Sequence, residues 1–246
     1  MKSLIKALLA KTPYRILRDK GRNRFDAADT ALKHLRDRGY RPKVVIDGGA
    51  HAGLYALMVR EIYPEAAIHM IEAQPACLPN LEQVAATNGF HLHPCAIGSP
   101  EDAASGFVTF AATDVASTGA HVAAHGEVGD GTVQVPVRTL DTLLSGRLSA
   151  DDRAFLKMDL QGYELAALKG ATEILPLIEV IQTEVSFFAQ AYEPSIVELM
   201  TFLDRAGFDL FDIAALSERT RDNRLRQGDF IFVRRGAPLS VDTSWA

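Results

Sequence analysis

The sequence predicts an α/β protein built on one doubly wound sheet of seven strands, mostly parallel, with an antiparallel last strand. Three observations carry that expectation. Val44, Val45 and Ile46 form a β-branched run suited to a parallel strand buried on both faces, and Leu54, Leu57, Met58 and Ile62 then recur at helical spacing. The same alternation of apolar run and helical pattern repeats down the chain. Near its end, the link Arg219–Gln227 is short enough for a hairpin and too short for a helical crossover, so the strand after it reads as antiparallel.

In order, strands are expected near residues 43–47, 67–72, 91–97, 154–159, 178–184, 208–213 and 229–234, with helices near 53–63, 76–88, 163–175 and 194–206. Pro194 suits the start of the last helix, and Ile196, Leu199, Met200 and Leu203 give it one apolar face. Between the third and fourth strands lies a segment the alternation does not require. Residues 106–110 and 132–137 read as two short strands flanking Ala111–Gly131, a loop rich in Gly, Ala, Ser and Thr. Long loops of this kind are often lids or binding loops. Asp114, Ser117, Thr118, His121 and His125 supply hydrogen-bonding groups there; the alternative is a variable surface loop.

With 246 residues, 48% of them hydrophobic and 23% charged, the chain fits one globular domain with a large core. Cys77 and Cys95 are its only cysteines, with no C-x-x-C and no zinc-like spacing, so neither a disulfide framework nor a structural metal is indicated and a reducing cytoplasm fits. Lys6 and Lys11 interrupt the apolar start, which reads neither as a signal peptide nor as a membrane span. The net charge of -5 hides an uneven division: residues 1–43 hold 13 Lys and Arg against 4 Asp and Glu, the remainder 13 against 27. Residues 1–42 are therefore expected to be a basic helical segment on an acidic domain, residues 43–246. Ile5, Leu8, Leu9, Ile16 and Leu17 favour docking over the sheet edge; the alternative is peripheral contact with an anionic membrane surface or a phosphorylated substrate. Nucleic acid is a poor partner for so acidic a body.

The stretch Asp47-Gly48-Gly49-Ala50-His51-Ala52-Gly53 sits where the first strand turns into the first helix, the place where such a sheet binds ligands. Glycines there allow unusual dihedrals and close backbone approach, and N–H groups at the helix start attract an anionic group. A dinucleotide fingerprint would read G-x-G-x-x-G; this chain reads D-x-G-A-x-x-G. An acid at the strand end repels a pyrophosphate but holds a cationic ammonium, directly or through water, which favours S-adenosylmethionine. Glu72, at the tip of the next strand, is placed to accept two hydrogen bonds from a ribose diol. Glycine turns also simply join strands to helices; the pair of acids at adjacent tips is the stronger signal.

Phe155–Glu164 repeats the pattern of strand, polar tip and helix start, which puts Asp159 on the same rim as Asp47 and Glu72. Lys157 shares a side with Asp159, and its alternative role is a structural ion pair; Glu164 has the alternative of favouring a helix N-terminus. The next strand ends at Thr183-Glu184, one more rim carboxylate.

Val45–Gly53, Ile71–Pro75, Ala96–Gly98, Val137–Asp141 and Leu156–Leu165, in this order and spacing, make the chain over residues 43–235 resemble the FkbM family of S-adenosylmethionine-dependent methyltransferases. The resemblance implies a seven-stranded, Rossmann-like class I methyltransferase fold. It implies Asp47 and Gly49 around the methionine end of the cofactor, Glu72 on ribose and Cys95–Ile97 beside adenine. His51 stands where Asn is frequent, and Gln161 where Glu is frequent, which puts a catalytic role for position 161 in doubt. The expected cofactor contacts are Asp47, Gly48, Gly49, Ala50, His51, Gly53, Glu72, Ala73, Cys95, Ala96 and Asp159.

The family implies O-methylation of hydroxyls on sugars, polyketides or other secondary metabolites. Methyl transfer needs an acceptor lone pair held close to the methyl carbon and in line with the departing sulfur. A neutral aliphatic hydroxyl benefits from a general base, for which Asp159 is first choice, followed by Glu184 and, in the loop, His121 or His125. Oxygen ligands such as Asp159 and Glu184 leave a divalent cation open, although no ligand cluster demands one. Asp114, Ser117, Thr118, Arg221 and Arg224 are the substrate candidates. Arg219, Arg221, Arg224 and Arg226 crowd one link, where they suit an anionic acceptor such as a nucleotide-sugar or acidic glycan, or else simply balance nearby acids. A nicotinamide-dependent reductase, disfavoured by Asp47 and the lack of Tyr-x-x-x-Lys, and a non-catalytic binding protein on the same fold are the competing classes.

Overall fold

A computed structural model describes residues 24–111, 119–123, 131–189, 194–240 and 244. The main sheet contains β1 (Val44–Gly48), β2 (Ala67–Ile71), β3 (His91–His93), β8 (Ala154–Met158), β9 (Ile178–Ser186), β10 (Phe208–Arg219) and β11 (Leu225–Arg234). Their order is β10-β11-β9-β8-β1-β2-β3; β11 runs antiparallel to both its neighbours, and β1, β2, β3, β8 and β9 pair in parallel. The expected seven-stranded, Rossmann-like sheet with an antiparallel last strand is therefore present. Between β1 and β8 the connections leave in opposite directions, which opens a crevice at the carboxyl ends of the strands.

Every residue of β1, β8 and β9 is buried because helices cover both faces. On one face, α1 (Arg24–Asp37), α2 (Leu54–Ile62) and α3 (Leu78–Asn88) pack Leu32, Leu35, Val59 and Leu81 against Val45, Phe155 and Val180. On the other, α5 (Leu140–Leu144), α6 (Glu164–Lys169) and α7 (Ile196–Arg205) pack Leu140, Leu168, Leu199 and Leu203 against Ile46, Leu156 and Ile181. Each such side chain contributes about 1.5–3 kcal/mol by leaving water. The start of α7 follows from its sequence: the Ser195 side chain accepts from the Glu198 N–H, and the Glu198 carboxylate accepts from the Ser195 N–H at 2.9 Å.

Four expected elements are corrected. The apolar run 91–97 is not one strand: β3 stops at His93, and Ala96–Ile97 forms β4, which leaves to pair in parallel with β7 (Thr132–Arg138). Pro94 has no N–H to continue the ladder. The helix expected over 163–175 is α6 alone, which ends at Gly170, where a Cβ would lie 2.2 Å from the Gly98 carbonyl oxygen. The strand expected over 208–213 runs on to Arg219, and the one expected over 229–234 already begins at Leu225, with irregular pairing between Leu210 and Asp212 and between Ile213 and Ala215.

The insertion forms a small second sheet, β4-β7-β5-β6, from β5 (Phe107–Ala111) and β6 (His121–Val122) besides β4 and β7. Helix α4 (Pro100–Ser105) precedes it, started by a Ser99–Asp102 capping box. Within the basic segment, Ala28, Ala31, Leu32 and Leu35 of α1 join the core; residues 1–23 lie outside the described residues, as do Asp114, Ser117, Thr118 and His125. Among the described residues, no helix is long and apolar enough to cross a membrane.

Candidate active site

The turn after β1 is held against β8. Gly49 has φ 76°, and a Cβ on it would lie 2.0 Å from the Asp159 carbonyl oxygen, so only glycine permits this approach. Asp159 N–H donates to the Gly48 carbonyl at 3.1 Å. Lys157 reinforces the junction from below, donating to the Gly48 and Gly49 carbonyls at 3.1 and 2.8 Å and pairing with Asp47 at 2.9 Å. Its ammonium also lies 5.2 Å from the centre of the Tyr55 ring. Asp47 is fully buried; burial raises its carboxyl pKa, and the Lys157 charge opposes that rise.

The N–H groups of this turn face the protein. Those of Gly49 and Ala50 donate to the Ile71 carbonyl at 3.0 and 3.1 Å, and that of Gly53 donates to Ala50. His51, with φ 48°, directs its N–H to Glu72 Oε2 at 2.6 Å, while Gln74 N–H donates to Glu72 Oε1 at 2.7 Å. Both carboxylate oxygens of Glu72 are thereby fixed in orientation, and each keeps a lone pair for a further donor.

A cavity of about 350 Å³ opens here, within the range of small-molecule sites. Gly49, Ala50, His51, Ala52, Glu72 and Ala73 line one part of it; Cys95, Ala96, Ile97, Phe110, Ala120 and Val122 form an apolar wall contributed largely by the small sheet. Asp159, Leu160, Gln161 and Tyr163 close the β8 side, and Tyr55, Lys157, Gln182, Gln227 and Asp229 form the remaining wall. Burial raises the pKa of Cys95 to about 11, which keeps its thiol neutral beside the apolar wall.

Of the residues singled out from the sequence, Gly49, Ala50, His51, Glu72, Ala73, Cys95, Ala96 and Asp159 converge on the cavity, whereas Asp47, Gly48 and Gly53 support it from outside. Glu184 lies just behind the wall, accepting from Gln227 Nε2 at 2.5 Å and lying 3.5 Å from Gln161 Nε2, which donates to Asp159 Oδ1 at 2.8 Å. His121 falls between two lining residues without lining the cavity itself, and its Nδ1 meets the Gly119 carbonyl at 2.9 Å. Arg221 and Arg224 also lie outside the lining: Arg221 is exposed near the β10–β11 turn, and Arg224 pairs with Asp222 at 2.7 Å and lies over Phe188.

Sequence reasoning missed Tyr55, Gln182, Gln227 and Asp229. A signal was present: Gln182, Glu184 and Ser186 alternate in β9, and Gln227 and Asp229 in β11, as polar interruptions of buried strands. Their meeting depends on the register Asp229 opposite Glu184, which residue spacing alone does not provide.

The donor set fits an adenosyl amino acid: oriented carboxylate for a ribose diol, apolar slot for a base, and acid at the opposite tip. A family model, the methyltransferase FkbM domain, matches residues 47–210. A comparison with curated proteins returns no match. Among solved structures, the methyltransferase FkbM of Methylobacillus flagellatus KT is similar at 20% identity over 77% of this chain and 43% of that one, with a TM-score of 0.47. This chain thus spans less than half the length of that protein. The magnesium protoporphyrin IX methyltransferase of Synechocystis PCC 6803 with bound SAM is similar at 10% identity over 95% and 96% of the two chains, with a TM-score of 0.47. Aeropyrum pernix fibrillarin in complex with S-adenosyl-L-methionine is similar at 14% identity over 84% and 73%, with a TM-score of 0.44.

Proposed function

The chain belongs to the FkbM family of S-adenosylmethionine-dependent methyltransferases, and from that premise we propose that it O-methylates a hydroxyl of a sugar, glycan or secondary metabolite, with Asp159 orienting the hydroxyl and taking its proton. The observation that carries this reading is the charge of the cavity. Glu72, Asp159 and Asp229 line it, while the lysine among the described lining residues, Lys157, is matched by Asp47. Such a wall attracts a cationic cofactor and repels a pyrophosphate, which weighs against the reductase alternative.

In this proposal Glu72 receives the ribose diol, Gly49, Ala50 and His51 border the methionine portion, and Ala73, Cys95 and Ala96 border adenine. Asp47 acts through Lys157, holding the glycine turn in place. When bound, S-adenosylmethionine supplies a sulfonium-activated methyl group. Asp159 is the lining carboxylate on the β8 side, the Gln161 amide donates to its Oδ1, and in this proposal the acceptor hydroxyl approaches this oriented carboxylate. Glu184 supports it from behind through Gln161, while His121 has no part in this reading. Arg221 and Arg224, outside the cavity, receive any phosphate or carboxylate carried by the rest of a larger acceptor.

The test is methyl transfer from methyl-labelled S-adenosylmethionine to hydroxyl acceptors, with products located by NMR. The expected result is label on an acceptor oxygen and a kcat about 100-fold lower in Asp159→Asn. Equal labelling of an acceptor whose hydroxyls are all blocked would overturn the reading.

A further inference from the structure

The wall of the cavity away from the cofactor side has a composition of its own. β9 and β11 pair Glu184 with Asp229 and Ser186 with Gln227, and Glu184 accepts from Gln227 at 2.5 Å. Two residues back along β9, the Gln182 side-chain oxygen Oε1 accepts from the buried Tyr55 hydroxyl at 2.9 Å, leaving the Gln182 amide N–H₂ as a donor. Desolvation together with Asp47 and Asp229 raises the Tyr55 pKa, which keeps its hydroxyl a donor. Gln182, Gln227, Asp229 and Tyr55 thus line this wall, a carboxylate among amide and hydroxyl groups, with the Glu184 carboxylate just behind it.

We infer that this wall is the acceptor subsite and that it reads an uncharged polyol, a glycosyl ring presenting two or more adjacent hydroxyls, with Asp229 and Gln182 as its specificity-determining residues. The inference rests on the methyltransferase reading and deepens it. A diol both donates and accepts, so neighbouring carboxylate acceptors and amide donors match it as a pair. An anionic ring would meet Asp229 and Asp159 with Glu184 close behind, and the Lys157 charge is already matched by Asp47. The arginines that suit anions lie outside the cavity. Charge on an acceptor is therefore tolerated beyond the cavity mouth and rejected on the ring that enters.

The experiment is saturation-transfer NMR on the full chain loaded with S-adenosylhomocysteine, using methyl glycosides of neutral hexoses and deoxyhexoses and the matched methyl uronates. Neutral glycosides are expected to bind at least tenfold more tightly than the uronates. Asp229→Asn, which keeps the shape and removes one charge, should shrink that ratio severalfold. A uronate that binds the wild-type protein as well as its neutral partner, or a loaded protein that binds no neutral glycoside, would overturn the inference; the wild-type comparison stands even if Asp229→Asn fails to fold. Failure of S-adenosylhomocysteine itself to bind would instead overturn the methyltransferase reading.

Discussion

Replacing Lys157 with methionine tests how the cofactor turn is held. In the native fold its ammonium is 2.9 Å from Asp47 and also binds the Gly48 and Gly49 carbonyls. Methionine preserves much of the volume but leaves Asp47, fully buried, without its counter-charge. Removing one partner of a buried pair costs about 3–5 kcal/mol. With a urea m-value of about 2 kcal/mol/M, the unfolding midpoint should fall by roughly 1.5–2.5 M at pH 7. The pH dependence has a definite sign. Without Lys157 the folded-state pKa of Asp47 rises further above its unfolded value, so the folded protein holds a proton that the unfolded chain has released. Stability of the variant therefore falls as pH rises from the unfolded pKa toward the raised folded one, by about 1.4 kcal/mol per unit. Relative to wild type, the deficit should shrink on acidification, and Asp47→Asn combined with Lys157→Met should recover at least half of it. Midpoint differences equal at pH 5 and pH 8, or a double variant no better than the single one, would refute this reasoning.

Gly49→Ala should abolish cofactor binding and lower the melting temperature, because its Cβ would sit 2.0 Å from the Asp159 carbonyl and push the two strand tips apart; calorimetry and a thermal scan check both. His69, buried on β2 with its Nδ1 3.0 Å from His93 Nε2, has its pKa lowered from 6.5 to about 4 by desolvation and by His91 and His93. The unfolded chain therefore takes up the proton first, and wild-type stability should fall between pH 6.5 and about 4 more steeply than that of His69→Gln, by at most about 3 kcal/mol across the window. Matching urea titrations of the two proteins would contradict that origin. Arg221→Gln with Arg224→Gln should raise the KM for a nucleotide-sugar about tenfold without changing that for the neutral glycoside; an equal rise for both acceptors would contradict an electrostatic role outside the cavity.

Much of this was legible in the sequence because buried parallel strands and helical faces leave local periodicities. β1, β2, β8 and α7 lie close to where the apolar patterns put them, and Glu72 and Asp159 reach the cavity because a residue after a strand must fall on the rim. The less accurate expectations involve geometry between elements. Asp47 stands in the expected position but points to Lys157, since a carboxylate in the buried middle of the open sheet finds the nearest cation on the neighbouring strand. His121 lies beside the site, but alternation along β6 gives the cavity its neighbours Ala120 and Val122. Gln182, Gln227 and Asp229 escaped notice because they come together only through the antiparallel register of β11, which β10 and its irregular pairing help to set. The extent of the small sheet was equally non-local: Pro94 signals a break, but not that Ala96 and Ile97 would pair with Val137 and Arg138.

The central claim is that a fixed Glu72 carboxylate and an acidic cavity hold S-adenosylmethionine. Isothermal calorimetry of S-adenosylmethionine and S-adenosylhomocysteine with the wild-type chain and with Glu72→Ala tests it most directly. The account predicts one site per chain for either ligand and an affinity at least tenfold weaker in the folded variant. Absence of binding by the folded wild-type protein, or equal affinity in Glu72→Ala, would contradict it.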